Sequence, residues 1–379
     1  MRGGTCMTER ERQILHWIQE NPMISQQELA DKAGIARSSA AVHISNLMKK
    51  GVILGKGYII RQENDIVVIG GVNVDICGTP HRALIEGDSN PGKVNMSLGG
   101  VGRNIAHNLR LLEQPVRLIT AFGDDMNATK LQNSCLELGI DFGDSLIVPG
   151  ESTSSYLFFT DEKGEMQVAV SDMDIYEHMT PEFMAGKLDM INRAAVCVLD
   201  TNIPKETIEF LAERVTVPLF VDPVSTTKMH KLQKVLGRIH TFKPNLLEAE
   251  ELTGIHITDE SSLKLAAGLL LNMGMERVFI SMGSDGVYCA ERGHNLWLPG
   301  IPTKVRNTTG GGDCFMAGLT YAFTKGMSLE DSARMALAAG AICVEGKHTI
   351  NEELSERELY DRAGLVFPEE IPEEDWNME

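Results

Sequence analysis

The sequence lacks a long apolar run and a cysteine-pair motif, and we expect no secretory leader. Its longest nearly uncharged apolar stretch, Met335–Val344, is about half as long as a bilayer-spanning helix must be. The first residues, MRGGTCMTERERQ, carry charges where a signal peptide needs its apolar segment. The seven cysteines form no CxxC pair, which argues against a disulfide framework or a zinc knuckle. We therefore expect a protein of the reducing cytoplasm that makes no membrane contact.

The chain has 379 residues, which suggests two or three domains at roughly 150 residues each. Apolar residues make up 43% and charged residues 23%, which excludes the disordered, collagen-like and coiled-coil classes. The net charge of −18 is uneven: residues 1–64 carry nine Lys or Arg against six Asp or Glu, whereas the rest carries 26 against 47. An acidic body repels nucleic acid at long range, so we expect any DNA contact in the basic N-terminal segment.

The first sixty residues predict a winged helix-turn-helix domain. Apolar residues at helical spacing predict a first helix over Glu9–Glu20, and the capping box Ser25-Gln26-Gln27-Glu28 predicts a second helix that ends at Gly34. A third helix is expected from about Arg37 to Lys50, followed by a short β-hairpin over Gly51–Ile60. Three helices, the last two joined by a glycine turn, and then a hairpin are typical of this DNA-binding fold.

The third helix is expected to bury Val42, Leu47 and Met48 and to enter the major groove of DNA. The polar residues off this apolar stripe are candidates for contacts with bases or phosphates: Arg37, Ser38, Ser39, His43 and Asn46. Lys56 in the hairpin is expected to contact the DNA backbone. The alternative is a small helical domain used for dimerisation, with these polar residues merely solvated.

The rest of the chain alternates apolar strands with amphipathic helical segments. The predicted strands are Ile66–Gly70, Val116–Ala121, Ala195–Asp200, Leu219–Asp222 and Arg277–Ser281. The predicted helices are Asn104–Leu112, Thr129–Leu138, Lys205–Arg214, Leu246–Thr253 and Ser262–Met273. This alternation favours an α/β fold with a doubly wound, mostly parallel sheet and helices on both of its faces.

Two segments interrupt that alternation. Residues 76–98 and 154–171 are predicted to form β structure, the second as a hairpin with its turn at Glu162-Lys163-Gly164. We expect them to form a small β lid over the C-terminal edge of the sheet, where open α/β folds bind ligands. The predicted organisation is a domain over 1–62, a hinge at Gln62–Asp65, an α/β domain over 65–367 and an acidic tail over 368–379.

The strongest chemical motif is a glycine-rich loop before an apolar helix, Asn307-Thr308-Thr309-Gly310-Gly311-Gly312-Asp313. Its glycines leave backbone N–H groups accessible at a helix N-terminus, where the dipole favours an anion such as a terminal phosphate. Asp313 is a candidate base for an attacking hydroxyl, and we expect the helix end to lower its pKa. No Gly-Lys pair is followed by Ser or Thr, which excludes a Walker loop. The alternative is a plain glycine turn capped by Asp313.

Polar residues near the first predicted strand form a second candidate cluster. Asn73 and Asp75 follow this strand, at a sheet edge where a carboxylate suits two vicinal sugar hydroxyls. Gly99 and Gly100 allow close approach of a ligand, and Asn104 offers it both a donor and an acceptor. Taken singly, each of these residues is equally well explained as a turn former.

Five motifs, in order, resemble the ribokinase-like or PfkB family of carbohydrate and nucleoside kinases over about residues 65–365. They are N-x-D at Asn73–Asp75, GG-x-G-x-N at Gly99–Asn104, K-P-N-x-x-E at Lys243–Glu248, S-x-G-x-x-G at Ser281–Gly286 and the glycine loop at 307–313. The resemblance implies ATP-dependent phosphorylation of a sugar hydroxymethyl group. It also implies that Asp313 is the base and Gly310–Gly312 the anion hole.

The same resemblance implies where the nucleotide binds. It assigns Asn245 and Glu248 to the region of Mg²⁺ and phosphate, with Glu248 holding the metal through water, and it assigns Ser281, Gly283 and Gly286 to the nucleotide pocket. The family's glycine loop usually begins with an Asp that helps to hold a monovalent cation, whereas this chain has Asn at position 307. That departure leaves potassium activation open.

Several strings resemble bacterial pseudouridine kinases: GGVGRNIAHNL, NPGK at 90–93, VPGESTSSYL at 148–157, VDPVS at 221–225 and HTFKPNLLEAE at 240–250. The resemblance implies that pseudouridine is the acceptor, with Ser155 and Tyr156 of the lid contacting the nucleoside. Inosine, cytidine and ribose remain alternatives, because a stacked tyrosine tolerates any base.

A second class of function stays open at this point. Helix-turn-helix domains joined to a sugar-kinase fold also describe repressors that sense a ligand without turnover. Asp313 discriminates between the two, because a sensor has no need of a base beside an anion hole. We therefore expect an enzyme that forms a homodimer, with DNA as the partner of its N-terminal domain.

Overall fold

The computed structural model describes residues 7–21, 24–50, 52–53, 65–161 and 165–368. The chain divides into two compact units, Met1–Glu63 and Asn64–Glu379. Within the described ranges, no helix is both long enough and apolar enough to cross a lipid bilayer. The predictions for Lys56, for most of the hairpin and hinge, for the turn at 162–164 and for the tail from 369 lie outside the described residues.

Three helices build the described N-terminal unit: α1 (Glu9–Glu20), α2 (Gln26–Ala33) and α3 (Arg37–Lys49). The predicted capping box is present, because Ser25 Oγ accepts from the Glu28 N–H and the Glu28 carboxylate accepts from the Ser25 N–H. Gly34 ends α2 in the left-handed region, with φ 61°. Lys50 joins the end of α3 to α1 through an ion pair of 2.7 Å with Glu11. The core of the unit contains Ile14, Ile18, Leu29, Ile44 and Leu47.

Helix α3 packs through a different face from the predicted one. Ala40, Ile44 and Leu47 are buried, whereas Val42 is 58% exposed and Met48 is 46% exposed. With 3.6 residues per turn, positions 40, 44 and 47 share one side of the helix and position 42 lies on the opposite side. The prediction was right for Leu47 and wrong for Val42 and Met48.

The larger unit contains the following strands: β1 (Ile66–Ile69), β2 (Asn73–Pro80), β3 (Gly92–Gly99), β4 (Val116–Ile119), β5 (Ala121–Phe122), β6 (Leu146–Ile147), β7 (Ser155–Thr160), β8 (Met166–Asp172), β9 (Val196–Asp200), β10 (Leu219–Asp222), β11 (Thr241–Phe242), β12 (Arg277–Ser281), β13 (Val287–Glu291) and β14 (His294–Leu298). Its helices are α4 (Val101–Leu111), α5 (Met126–Glu137), α6 (Pro181–Ala185), α7 (Leu188–Ile191), α8 (Lys205–Arg214), α9 (Thr226–Met229), α10 (Leu246–Thr253), α11 (Glu260–Asn272), α12 (Gly311–Thr324), α13 (Leu329–Glu345) and α14 (Glu356–Ala363).

The central sheet has eight strands within the described residues, in the order β14-β13-β12-β11-β10-β9-β1-β4. Neighbouring strands from β4 to β12 in this order pair in parallel. Strand β13 pairs antiparallel with both of its neighbours, β12 and β14. All residues of β1, β9 and β10 are buried, as is typical of parallel strands that helices cover on both faces. The predicted doubly wound, mostly parallel α/β fold is confirmed.

Two features of this sheet differ from the prediction. The segment predicted as one strand over Val116–Ala121 is interrupted after Ile119, because Ala121 and Phe122 leave the sheet to pair with β6. The hairpin β13–β14 was missed, although Glu291 pairs with His294 across the two residues Arg292 and Gly293. Such a two-residue turn containing glycine is a recognisable hairpin signal.

The two segments predicted as β structure outside the alternation form a four-stranded sheet in the order β3-β2-β7-β8, here called the small sheet. Strands β2 and β7 pair in parallel, and β3 and β8 pair antiparallel to them. Strand β2 leaves the end of β1 after only three residues. The small sheet is therefore attached where β1 of the central sheet ends.

A single buried carboxylate holds this attachment together. Asp200, the last residue of β9, is 1% exposed. Its Oδ2 accepts from the backbone N–H groups of Gly71 and Gly102, each at 2.8 Å, and its Oδ1 accepts from the N–H of Asn202, also at 2.8 Å. A Cβ at position 70 would lie 2.2 Å from Oδ2 of the same carboxylate, so glycine is required at Gly70. Asp200 thus joins the end of β1, the start of α4 and the end of β9.

We expect Asp200→Asn to lower the free energy of unfolding by about 3 kcal/mol at neutral pH. An amide in either orientation has one oxygen acceptor in place of two, so at least one backbone N–H loses a charge-assisted hydrogen bond and becomes a buried unsatisfied donor. Urea unfolding of the full chain, followed by far-ultraviolet circular dichroism, measures the change.

The matched control is Asp144→Asn, which removes a partly exposed carboxylate that pairs with Arg117 at 2.6 Å and Lys187 at 3.0 Å. Exposed ion pairs contribute about 1 kcal/mol or less. An Asp200→Asn variant no less stable than the Asp144→Asn variant would contradict the role given to Asp200.

Candidate active site

The glycine loop forms the N-terminus of α12 as the sequence predicts. Gly310 precedes the helix with φ 85°, and a Cβ there would lie 2.2 Å from the carbonyl oxygen of Thr349, so this position requires glycine on two grounds. Asn307 stabilises the turn, because its Oδ1 accepts from the Thr309 N–H at 3.0 Å. The first turn of a helix leaves backbone N–H groups without intrahelical partners. The Gly311 N–H makes only a long contact of 3.4 Å with the Thr308 carbonyl oxygen, and neither Gly311 nor Gly312 has a side chain that would cover its N–H.

These glycines line a cavity of about 520 Å³, within the range of small-molecule sites. Three other predicted residues line the same cavity, namely Ser281, Gly283 and Gly286. Its apolar wall comes from Ile301, Val305, Phe315, Leu337 and Val344. The structure therefore joins the predicted nucleotide pocket and the predicted anion hole in one cavity.

Asp313 contacts the second predicted cluster directly. Asn104 on α4 donates from Nδ2 to Asp313 Oδ2 at 2.8 Å, although the two residues are 209 positions apart. Helices α4 and α12 pack side by side at this point. The carboxyl that follows the predicted anion hole is therefore held by Asn104, a residue of the cluster predicted to bind the acceptor.

The expected direction of the Asp313 pKa shift is wrong. Burial and then the nearby charge of Asp222 raise the pKa of Asp313 to about 7, and the hydrogen bond from Asn104 and the charge of Lys243 only partly oppose them. Asp313 as a residue is partly exposed, but its carboxyl lies deep among protein atoms, so loss of hydration outweighs the helix dipole. Such a group can accept a proton near neutral pH far better than an ordinary aspartate.

Two further charged residues at this site had been given no role. Asp222 ends β10, and Lys243 follows β11; each is 5% exposed. Lys243 Nζ lies 3.2 Å from Asp222 Oδ2 and 3.4 Å from the point where a Cβ would stand on Gly312. Burial lowers the pKa of Lys243, but the charges of Asp222 and Glu248 outweigh it and raise this pKa above its usual value. Asp222 could have been found from the sequence, because it is an acidic residue at the carboxyl end of a buried strand, where α/β folds bind ligands.

Asn245 and Glu248 form the capping box of α10. The Glu248 carboxylate accepts from the Asn245 N–H at 2.8 Å, and Asn245 Oδ1 accepts from the Glu248 N–H at 2.9 Å. Burial raises the pKa of Glu248. Asn245 also adjoins the pocket residue Ser281 through a parallel bridge. One carboxylate oxygen of Glu248 therefore stabilises the start of α10, and Asn245 and Glu248 lie next to the predicted nucleotide pocket.

Asn73 and Asp75 lie within β2 and not in a loop at its edge. Asn73 Nδ2 donates to Asp75 Oδ1 at 2.5 Å, and burial raises the pKa of Asp75. Gly99 faces this pair from β3, where a Cβ would stand 2.3 Å from Asp75 Oδ2. On the neighbouring strand, Tyr156 pairs with Asp75 and shares its face, whereas Ser155 pairs with Val74 and points to the opposite face. Of the two predicted residues of β7, Tyr156 is the one on the face of Asp75.

Comparisons with known proteins agree with this geometry. A sequence profile of the pfkB family carbohydrate kinases matches residues 63–356, and a profile of winged helix-turn-helix DNA-binding domains matches residues 7–53. The pseudouridine kinase of Escherichia coli K12 is 41% identical over 298 residues, which cover 78% of this chain and 95% of that protein. The uncharacterised sugar kinase YeiI of the same organism is 38% identical over 340 residues, which cover 89% of this chain and 93% of that protein.

A solved structure shows the same fold. The ribokinase of Arabidopsis thaliana, complexed with ribose and ATP, superposes with a TM-score of 0.72 over 80% of this chain and 100% of that chain, at 23% sequence identity. The YeiI alignment is longer than the Asn64–Glu379 unit, so it also takes in part of the N-terminal unit.

We expect the Asp313 carboxyl to titrate with an apparent pKa of about 7 and to be protonated below that pH. Replacing Asn104 by Ala should raise this pKa further, because the carboxylate form loses its hydrogen-bond donor. Carbon-13 NMR of aspartate-labelled protein measures both values, with Asp313→Asn identifying the resonance. Asn133→Ala, an exposed position on α5, should leave the value unchanged. A wild-type value near 4, or a downward shift in Asn104→Ala, would contradict this account.

Proposed function

The chain belongs to the pfkB family of carbohydrate kinases, phosphotransferases with an alcohol group as acceptor, and we propose that it phosphorylates the 5′-hydroxyl of a ribonucleoside with ATP, with pseudouridine as the acceptor. The observation that carries this proposal is the contact of Asn104 with Asp313 at 2.8 Å. This contact supports Asp313 as the base, because the carboxyl lies between the glycine loop and the polar cluster that suits a sugar.

The proposed transfer begins at the carboxylate of Asp313. An oxygen lone pair of the 5′-hydroxyl attacks the γ-phosphorus, the bond from that phosphorus to the β–γ bridging oxygen breaks with its electrons leaving on ADP, and Asp313 takes the hydroxyl proton. The N–H groups of Gly311 and Gly312 stabilise the negative charge of the phosphoryl oxygens. Because its pKa is raised to about 7, Asp313 is a competent proton acceptor near neutral pH.

The residues present suit Mg²⁺, which prefers carboxylate and water oxygens together with substrate phosphates. Glu248 would hold the ion through water, with Asn245 beside it. When bound, the ion supplies charge neutralisation for the phosphates. Asn307 does not supply the carboxylate expected of a monovalent-cation ligand, and its amide oxygen already accepts from Thr309, so no step is derived through such a cation.

Pseudouridine is favoured over the other acceptors by sequence relation and by the small sheet. The pseudouridine kinase of Escherichia coli is 41% identical over 298 residues, which cover 78% of this chain. Asp75 and Tyr156 share one face of the small sheet, so a carboxylate for ribose hydroxyls and a ring for stacking on a base are available together. Inosine, cytidine or ribose would use the same features.

A sensor without turnover is the second candidate. The presence of a winged helix-turn-helix profile over residues 7–53 favours a regulatory task. A sensor, however, gains nothing from a buried carboxyl beside an anion hole, because burial without use is costly. We therefore propose that a regulatory function accompanies catalysis and does not replace it.

Helix α3 offers a surface for DNA. Arg37, Ser38 and Ser39 at its first turn are exposed, and the unexpectedly exposed Val42 lies one turn after Ser38 on the same side. Hydroxyl and guanidinium groups suit phosphates and base edges, and an apolar side chain suits a thymine methyl group. His43 and Asn46 are partly exposed beside this surface. We infer that α3 contacts DNA through this side.

A homodimer is the proposed assembly. The face of the small sheet opposite Asp75 is apolar and exposed, with Val94 at 70%, Val170 at 62%, Val168 at 55%, Met96 at 51% and Phe159 at 40%. An apolar sheet face is stabilised when it packs against another surface, and a large exposed apolar patch typically marks an interface. Pairing of two copies through this face would also bring two N-terminal units into one assembly, as two DNA half-sites require.

We predict that the protein consumes ATP with pseudouridine in a screen of nucleosides, and that Asp75→Ala raises the KM for the accepted nucleoside at least tenfold. The loss follows because two ribose hydroxyls lose a charged acceptor. A 2′,3′-dideoxy analogue should bind the wild type poorly for the same reason. Asp88→Ala, at an exposed position between β2 and β3, is the matched control. Equal binding of the dideoxy analogue and the ribonucleoside would contradict the role of Asp75.

We predict that the full chain selects specific duplexes from a random DNA pool, as two chains per duplex, and that deletion of residues 1–64 abolishes this binding while kinase activity remains. Binding measured by fluorescence anisotropy should weaken steeply with salt, because phosphate contacts release counterions. Val42→Glu should abolish binding, whereas Leu136→Glu, at an exposed apolar position on α5, should leave it intact. Binding by the truncated chain would refute the assignment. Addition of the nucleoside at fixed salt then measures coupling, which must be reciprocal.

A further inference from the structure

Lys243 is a buried cation that the proposed transfer does not use. It lies between β11 and α10, in the loop that also supplies Asn245, and it is 5% exposed. A lysine ammonium carries three N–H donors. Its ion-pair partner in the described residues is Asp222, at 3.2 Å. A buried ammonium costs free energy unless its surroundings compensate it, so its presence calls for an explanation.

The ammonium stands at the anion hole. Nζ is 3.4 Å from the position that a Cβ would occupy on Gly312. Gly312 lies in the first turn of α12, so its backbone N–H belongs to the group of N–H donors at the start of this helix. An anion bound by the N–H groups of Gly311 and Gly312 therefore lies within reach of Nζ. The lack of a side chain at Gly312 leaves the space between them open.

More carboxyl groups act on Lys243 than the single partner of its ion pair. Asp222, Glu248 and Asp313 all act on the ammonium through their charges. Asp222 is not free to turn away, because its Oδ1 accepts from the Val224 N–H at 2.9 Å. Asp222 therefore holds Nζ in one place through Oδ2. Within the part of the chain that the structure describes, the other donors of the ammonium make no side-chain hydrogen bond and are available to a further anion.

We propose that Lys243 binds the phosphoryl group during its transfer, as a second group of the anion hole beside the backbone of Gly311 and Gly312. The proposal rests on the proposed kinase function. As the bond from the γ-phosphorus to the bridging oxygen breaks and the acceptor oxygen bonds to that phosphorus, the ammonium stays protonated and offsets the negative charge of the phosphoryl oxygens. A compact ammonium is well suited to this task, because it interacts with phosphate as a point charge.

The competing explanation is a purely structural ion pair with Asp222. The two explanations differ in what Asp222→Asn does. If the ion pair matters only for structure, breaking it from either side has the same effect. If Lys243 binds the phosphoryl group, Asp222→Asn keeps the cation and with it the preference for AMP-PNP over ADP, whereas Lys243→Gln loses that preference.

The experiment compares the affinities for AMP-PNP, a non-hydrolysable ATP analogue, and for ADP by isothermal titration calorimetry with Mg²⁺ and no acceptor. Lys243→Gln should weaken AMP-PNP binding about ten- to a hundredfold, the usual loss for one charged hydrogen bond, and change ADP binding less than about threefold. Asp222→Asn should keep the wild-type ratio of the two affinities within about threefold. Lys187→Gln, which breaks a more exposed pair of similar length with Asp144, 3.0 Å, is the control and should change neither.

Steady-state kinetics give the second readout. Lys243→Gln should lower kcat about 10²–10³-fold, as for loss of a transition-state charge partner, with the nucleoside KM within about threefold of wild type. Lys243→Arg should recover part of kcat. If Lys243→Gln does not fold, the double variant Lys243→Gln/Asp222→Asn replaces the ion pair by two amides and is measured in its place.

Loss of AMP-PNP and ADP affinity by the same factor, or an identical effect of Asp222→Asn and Lys243→Gln, would overturn the proposal in favour of a structural pair. Failure of the proposed function is recognised separately. In that case wild type phosphorylates no nucleoside, while the ratio of AMP-PNP to ADP affinity still tests Lys243, because the binding measurement contains no acceptor.

Discussion

The buried carboxylate of Asp200 is the interaction on which the site depends. Its three hydrogen bonds of 2.8 Å fix the end of β1 and the start of α4 against the end of β9. Helix α4 carries Asn104, and Asn104 in turn holds Asp313. The position of Asn104, and with it the hydrogen bond to Asp313, therefore depends on the contact of the Gly102 N–H with Asp200 in the first turn of α4. A carboxylate suits this place because it can accept several N–H groups at once.

Negative charge is concentrated where the strands of the central sheet end. Asp200, Asp222 and Asp313 come from three different elements and influence one another, and burial raises the pKa of both Asp200 and Asp313. Lys243 is the cation held against this group at 3.2 Å from Asp222. Such an arrangement is unfavourable for a folded protein by itself. It is understandable where a proton has to be accepted and a strongly anionic group has to be positioned.

Sequence reasoning located the long apolar strands and the chemical motifs, because both are local patterns. It placed Leu219–Asp222 and Arg277–Ser281 at the observed bounds. It missed β11, which has two residues, since so short a strand has no periodicity. It chose Val42 as buried because a valine in a helix usually is, whereas the face of α3 is decided by packing. The pKa of Asp313 was misjudged for a similar reason: the helix dipole is visible in the sequence, but the loss of hydration and the charge of Asp222 depend on the tertiary structure.

The separation of Asp200 from its hydrogen-bond donors has a consequence for synthesis of the chain. Gly71 and Asp200 are 129 positions apart, and β1 pairs with β9 over a similar separation in sequence. Until the ribosome has released Asp200, the backbone N–H groups of Gly71 and Gly102 lack their acceptor. Until it has released β9, β1 lacks its neighbouring strand on one side. Contacts so distant in sequence form slowly, and unpaired strand edges invite wrong association. The attachment of the small sheet to the end of β1 can therefore form only after β9 has been synthesised.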